Sequence, residues 1–153
     1  MKTLPVLAAI GVAAIAATAQ AHVTLELPQA PAATSYRAVF RVGHGCDGAA
    51  TTALQIDIPP GFRNAKPMPK AGWTLSLARN GDAVTRITWR AASRDAWLDS
   101  AYYDEFVLRG QTPDARGTLT FAVLQQCDKG QAEWQTPLEV LPAAGAATEH
   151  HHH

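Results

Sequence analysis

Apolar and polar residues alternate with a period of two along most of the chain after residue 22, and no stretch there holds a helical period for three turns. In "YRAVFRV", Tyr36, Ala38, Phe40 and Val42 fall on one face, with Arg37 and Arg41 on the other. In "TTALQIDI", Leu54, Ile56 and Ile58 alternate with Gln55 and Asp57; in "WTLSL", Trp73, Leu75 and Leu77 alternate with Thr74 and Ser76. Successive side chains of a strand point to opposite faces, so each run predicts a strand with one buried face. "LARNGDAVTRITW" adds topology, because Asn80-Gly81 tolerates positive φ between two alternating runs and predicts an antiparallel hairpin of 73–79 with 84–90. Further strands are expected at 23–27, 104–109, 118–125 and 138–141, with a short helix or turn within 92–102. The spacing of these runs, broken by "PPG", "PMPKAG" and "TPDARG", is that of an all-β antiparallel sandwich or barrel.

The first residues change the picture, because they read as an address. Lys2 precedes an apolar, Ala-rich run from Leu4 to Ala17, and Ala19-Gln20-Ala21 fits the A-x-A cleavage pattern of a secretory signal peptide. The run is shorter than the roughly 20 residues that span a bilayer, and Pro5 interrupts it, so no membrane anchor is expected after cleavage. Cleavage makes His22 the first residue, and the expected organisation is a leader at 1–21, one domain at 22–142 and a tail at 143–153. The terminal histidines after Glu149 have the look of a purification tag. Thirteen basic residues balance thirteen acidic ones, and loss of Lys2 leaves a net charge of −1, which steers the protein toward neither nucleic acid nor an anionic membrane. Two cysteines, Cys46 and Cys127, are expected to form a disulfide in an exported protein; the alternative is a two-thiolate metal site.

A histidine at the start of a chain carries a free amine beside its imidazole, and the amine and Nδ1 can close a six-membered ring on one metal ion. Two nitrogens in one plane suit copper(II), an arrangement called a histidine brace. Against this stands the plain fact that some residue must follow any cleavage site. In "YYDEFVLR", Phe106 and Leu108 take the core face and turn Glu105 outward, so Glu105 can supply a carboxylate oxygen or remain a solvated strand carboxylate. Asp104 is the weaker candidate, since alternation points it the other way. His44, between glycines in "VGHGCDG", is either a second imidazole or a histidine held in a turn beside Cys46. Core packing or interface burial accounts for Trp73, Trp89 and Trp97. Trp134, in "CDKGQAEWQTP", has little apolar company, and its ring either faces a cation or ligand or packs like the others. Hydrolytic chemistry finds no G-x-S-x-G and no H-E-x-x-H to support it, and the adjacent Asp104 and Glu105 point to opposite faces, unlike a glycosidase pair.

Together, "AHVTLELPQA", "RVGHGCDGAATTALQIDIPPGF", "PMPKAGWTL", "YYDEFVLRG" and "QQCDKGQAEW" resemble the YcnI-like family of exported bacterial copper-binding domains, in order from His22 to about Trp134. The resemblance implies a cupredoxin-like or immunoglobulin-like β-sandwich that binds one copper(II) per chain through a single-histidine brace. It places the N-terminal histidine on His22, the glutamate of the "Y-D-E-F" stretch on Glu105, and a tryptophan close to the metal on Trp134. Cys46 and Cys127 match the disulfide-bearing form of the family. The chain departs at "VGHGC", where a proline commonly precedes the histidine, and at "QTPLEVLP", which replaces a Pro-Ala-Pro-like stretch and leaves the register of the last strand open.

The function expected from this is periplasmic copper trafficking or buffering, not catalysis. The copper ion is the first partner; other periplasmic or membrane copper-trafficking proteins would be further ones, and the protein itself would be a monomer or weak dimer. Two rivals belong to other classes: a copper-dependent oxidase or oxygenase with His44 as second imidazole, and a metal-free sandwich module that binds a protein or carbohydrate through exposed aromatics such as Trp134.

Overall fold

Each alternating run forms a strand. The structure, a computed structural model, describes residues 22–145; the expected leader with its cleavage site and the terminal histidines lie outside the described residues. Among these the strands are β1 (Thr24–Leu25), β2 (Gln29–Pro31), β3 (Ser35–Val42), β4 (Thr51–Asp57), β5 (Arg63–Pro67), β6 (Trp73–Asn80), β7 (Ala83–Ala91), β8 (Asp104–Gln111), β9 (Gly117–Cys127) and β10 (Gln131–Leu141). One 3-10 turn, Arg94–Ala96, falls within the 92–102 segment expected to be helix or turn. The strands form a four-stranded sheet in the order β1-β3-β8-β5 and a six-stranded sheet in the order β2-β10-β9-β4-β7-β6, antiparallel except where β2 runs parallel to β10.

The two sheets close on the apolar faces that alternation marks. Tyr36, Ala38, Phe40 and Val42 are buried from β3, Leu54 and Ile56 from β4, and Phe106 and Leu108 from β8. Aromatic rings bind the layers: Phe40 and Phe62 each meet Phe121 edge-on with centroids 5.3 Å apart, and Phe106 meets Trp73 at 5.1 Å and Trp89 at 5.8 Å. Such edge-to-face pairs add about 0.5–1.5 kcal/mol each beyond the area they bury. Gly110 makes this packing possible, since a Cβ there would run into the Phe62 ring and lie 2.8 Å from the Arg63 carbonyl oxygen.

The structure departs from the expected elements in four places. The first strand is two residues long instead of five: the chain bends at Glu26 and Leu27 after one more ladder bond, in which the Val39 carbonyl accepts the Glu26 N–H at 3.0 Å. The expected strand at 138–141 is the end of an eleven-residue strand beginning at Gln131, so Trp134 stands in a strand. The 73–80/83–91 hairpin forms, but Gly81 (φ 59°) and Asp82 make its two-residue turn while Asn80 still pairs with Ala83. β2 and β5 carry no alternating apolar pattern: one is three residues long, and the other is an edge strand with Asn64 at φ 54°.

The register left open after Trp134 is continuous, running from Gln131 opposite Gln126 to Val140 opposite Gly117. β2 reaches β10 only at Glu139–Leu141, so Pro137 places its nitrogen, which has no hydrogen to donate, on a stretch of local edge. Cys46 and Cys127 are bonded, with Cα atoms 6.0 Å apart and a sequence separation of 81. Closing so long a loop stabilises the fold by roughly 4 kcal/mol on a chain-entropy argument. No helix among the described residues is long and apolar enough to cross a membrane.

Two outcomes test this packing. Gly110→Ala is expected to lower stability by about 1–3 kcal/mol, because a fixed backbone carbonyl leaves the added methyl nowhere to go; denaturant unfolding followed by circular dichroism reads the loss. The Tyr36 hydroxyl donates to the Leu27 carbonyl at 2.5 Å, and burial, with a smaller contribution from Glu26, pushes its pKa up to about 12. The folded state therefore favours the neutral phenol. Its contribution to stability is whole below pH ~10, the unfolded value, and is lost as pH rises toward about 12. A plot of unfolding midpoint against pH should fall across that window, and Tyr36→Phe should flatten the fall.

Candidate metal centre at the start of the domain

The site is built around the way β1 enters the sandwich. Val23 and Leu25 are buried, so alternation turns His22 and Thr24 outward, and both are exposed. The backbone beside His22 is tied down from the other sheet: the Thr136 hydroxyl donates to the Val23 carbonyl at 2.7 Å, and Thr136 is 2% exposed. Trp134 lies two residues before Thr136 on the same inward face of β10. Its ring sits against the His22 imidazole with centroids 5.1 Å apart and planes tilted by 52°.

Trp134 is itself held. Its indole Nε1–H donates to Gln125 Oε1 at 3.0 Å, while Gln125 Nε2 donates at 2.8 Å to both the His44 carbonyl and Thr51 Oγ1. Gln125 and Thr51 are fully buried. The amide therefore joins β9, β10, the start of β4 and the loop that carries Cys46.

Glu105 approaches from the four-stranded sheet. Thr24 pairs with Arg41 and Arg41 with Glu105, so the three stand in one row across β1, β3 and β8. At about 4.8 Å per strand, that row spans roughly 10 Å between the Thr24 and Glu105 backbones. Glu105 Oε1 accepts the Tyr103 hydroxyl at 2.7 Å, and this bond raises the Tyr103 pKa. Arg41 stands between them: its Nη2 donates to Thr24 Oγ1 at 3.2 Å, and its Nε is buried with no hydrogen-bond partner.

The remaining residues singled out in the sequence lie elsewhere. Asp104 pairs with Lys70 at 2.6 Å and also accepts the Glu105 N–H at 2.8 Å, so its carboxylate is occupied. His44 Nδ1 lies 2.7 Å from the Gly45 carbonyl oxygen and must carry the proton there. His44 thus stands in the loop that leads to the disulfide, bonded to its own backbone through Nδ1. The loop needs glycine at 45, where a Cβ would fall on the Ala49 carbonyl oxygen. A hollow of about 780 Å³ opens beside this loop, lined by residues including Cys46, Arg94, Trp97, Asp128 and Lys129, and His22, Glu105 and Trp134 take no part in it. Among the described residues, no three His, Cys, Asp or Glu side chains assemble as a metal cage. A brace draws on one imidazole, a backbone amine and one carboxylate, so it needs no such trio.

Gln125, Thr136, Tyr103 and Arg41 are the site residues that sequence reasoning missed. A signal existed for two of them, since Gln125 follows Phe121 and Val123 on the inward stripe of β9, and Thr136 precedes Leu138 and Val140 on that of β10. A polar residue on an apolar stripe must find partners, and here the partners belong to the site.

A family model described as "Domain of unknown function (DUF1775)" matches residues 22–151, which is the whole domain from His22 onward. The chain belongs to the DUF1775 family. No curated protein is significantly similar to it in sequence. Among solved structures, this DUF1775 domain is similar to a protein from Nocardia farcinica described as uncharacterized with an immunoglobulin-like fold, at 25% identity and a TM-score of 0.69, over 80% of this chain and 99% of that one. The immunoglobulin-like sandwich is thereby established for the domain. More distant likenesses are BslA, a bacterial hydrophobin (15% identity, TM-score 0.48, 79% of this chain and 93% of that one), and a non-cellulosomal cohesin from Archaeoglobus fulgidus (10%, 0.49, 86% and 98%).

Thr136→Val keeps the shape of the side chain and removes the donor to Val23. We expect a loss of about 1–3 kcal/mol from the orphaned carbonyl, together with faster amide hydrogen exchange at Val23 and Thr24. Equal exchange in the two proteins would show that the bond does not hold the start of the domain.

Proposed function

We propose that the protein is an exported, YcnI-like copper(II)-binding protein whose site comes into being when cleavage after Ala21 frees the His22 amine. The observation that carries this reading is the seating of His22: its neighbour Val23 is pinned by a buried hydroxyl, and its imidazole rests on a Trp134 ring that is held in turn. A first residue that served only to follow a cleavage site would need neither support. Copper is the cargo. The donors are the His22 amine, its Nδ1 and the Glu105 carboxylate, a nitrogen-rich, planar-capable set suited to cupric ion.

The surrounding residues do the positioning. Tyr103 orients Glu105 by donating to one carboxylate oxygen. Arg41 supplies a fixed positive charge in the same row, which offsets the negative charge that Glu105 brings. Trp134 covers one side of the imidazole with an apolar face and limits access of water to it. The disulfide fits an oxidising compartment such as the periplasm, where glutathione does not keep thiols reduced. The protein's expected partners are other periplasmic or membrane copper-trafficking proteins.

The test is a copper(II) EPR titration of tag-free protein that begins at His22. One equivalent should give an axial, nitrogen-rich signal. One extra residue ahead of His22 should abolish that signal with the circular dichroism unchanged, and Glu105→Gln should weaken binding and alter the hyperfine splitting. Undiminished tight binding with the amine blocked would refute the brace.

A further inference from the structure

The Gln125 amide makes three directional hydrogen bonds to described residues. One oxygen accepts from Trp134 on β10, and the two Nε2 hydrogens go to Thr51 Oγ1 and to the carbonyl of His44. Rotating the amide would set its oxygen against the His44 carbonyl and its NH2 against the indole N–H and lose both of those bonds, and only the Thr51 hydroxyl could turn to suit. At 1% exposure, no water is at hand to repair the loss. Its two anchors are themselves fixed: Thr51 pairs backbone to backbone with Leu98, and His44 lies two residues from Cys46, whose sulfur is bonded to Cys127. On the far side, the indole that the amide orients is the ring against His22.

We propose that Gln125 is the positioning residue of the candidate metal centre, transmitting the geometry of the disulfide-tied loop through Trp134 to the His22 imidazole. It acts by fixing where the indole plane stands. This deepens the copper reading and rests on it for its consequence in binding; the structural half, Gln125 to Trp134 to His22, holds in the metal-free protein and can be read there. Partners that orient a ligand from behind usually matter at the level of about 10- to 100-fold in metal affinity.

The experiment uses the full domain beginning at His22, tag-free, with nitrogen-15 labelling. In the metal-free protein, Gln125→Met should move the Trp134 indole N–H resonance to the position of an unbonded indole and shift the His22 ring protons, with circular dichroism confirming the fold. Gln125→Glu still offers the indole an oxygen, and should leave both sets of resonances closer to wild type. With copper(II) added, Gln125→Met should bind about 10- to 100-fold more weakly, and Gln125→Glu should recover part of that loss. Unmoved His22 resonances in a folded Gln125→Met protein overturn the proposal. Should Gln125→Met not fold, a cycle with the smaller Gln125→Ala decides: it must shift His22 in the wild-type background and add nothing in a Trp134→Phe background, and an added shift there overturns the proposal. Failure of the wild type to bind copper refutes the function proposed above, and the metal-free resonances still decide the role of Gln125.

Discussion

The hydrogen bond from the buried Thr136 hydroxyl to the Val23 carbonyl governs the rest of the site. β1 contributes only two residues to its sheet, and a strand so short has little ladder to hold it. Burial of Val23 and Leu25 supplies the apolar part of its attachment, worth about 1.5–3 kcal/mol for each full-sized side chain. Burial alone is not directional, however. The hydroxyl adds direction by fixing the peptide next to His22 relative to β10, the strand that also carries Trp134. The start of the domain is thereby tied to β10 by a directional bond as well as by burial.

Around that anchor gather three of the four buried polar residues among those described, while the fourth, Thr112, bonds to Pro31 and Thr34 elsewhere in the sandwich. Gln125, Thr51 and Thr136 are buried polar residues in a core otherwise built of Phe40, Phe106, Phe121, Trp89 and branched aliphatics. Each of the three is satisfied, and their partners reach three strands and the disulfide loop. Satisfied polar networks of this kind specify one arrangement, because any slip in register strands several donors and acceptors at once. The sandwich gains its stability from the aromatic layers at the centre and its geometric definition from the polar cluster at the end where β1 enters.

Charge is arranged just as unevenly at the start of β8. Lys70 neutralises Asp104, whereas the neighbouring Glu105 is met by a phenol. Adjacent carboxylates on one strand thus have different fates because alternation sends them to opposite sides. A carboxylate that accepts one neutral hydrogen bond keeps most of its capacity as an oxygen donor; one in an ion pair 2.6 Å long does not.

Much of this was legible in the residues. Alternation in "YRAVFRV", "TTALQIDI" and "YYDEFVLR" determined the strands, their buried faces and the outward turn of Glu105, because side-chain direction in a strand depends on position parity and on nothing remote. The lone pair of cysteines determined its own partnership. What the sequence did not carry was distance. The meeting of His22 with Trp134, 112 positions later, depends on how two sheets lie across each other, and the edge strands β2 and β5 form because neighbours offer free ladder groups, with no apolar pattern of their own. Only the tertiary structure decided that a glutamine and a threonine on apolar stripes would become the supports of the domain's first residue, since a buried polar group's role is set by the partners that packing brings to it.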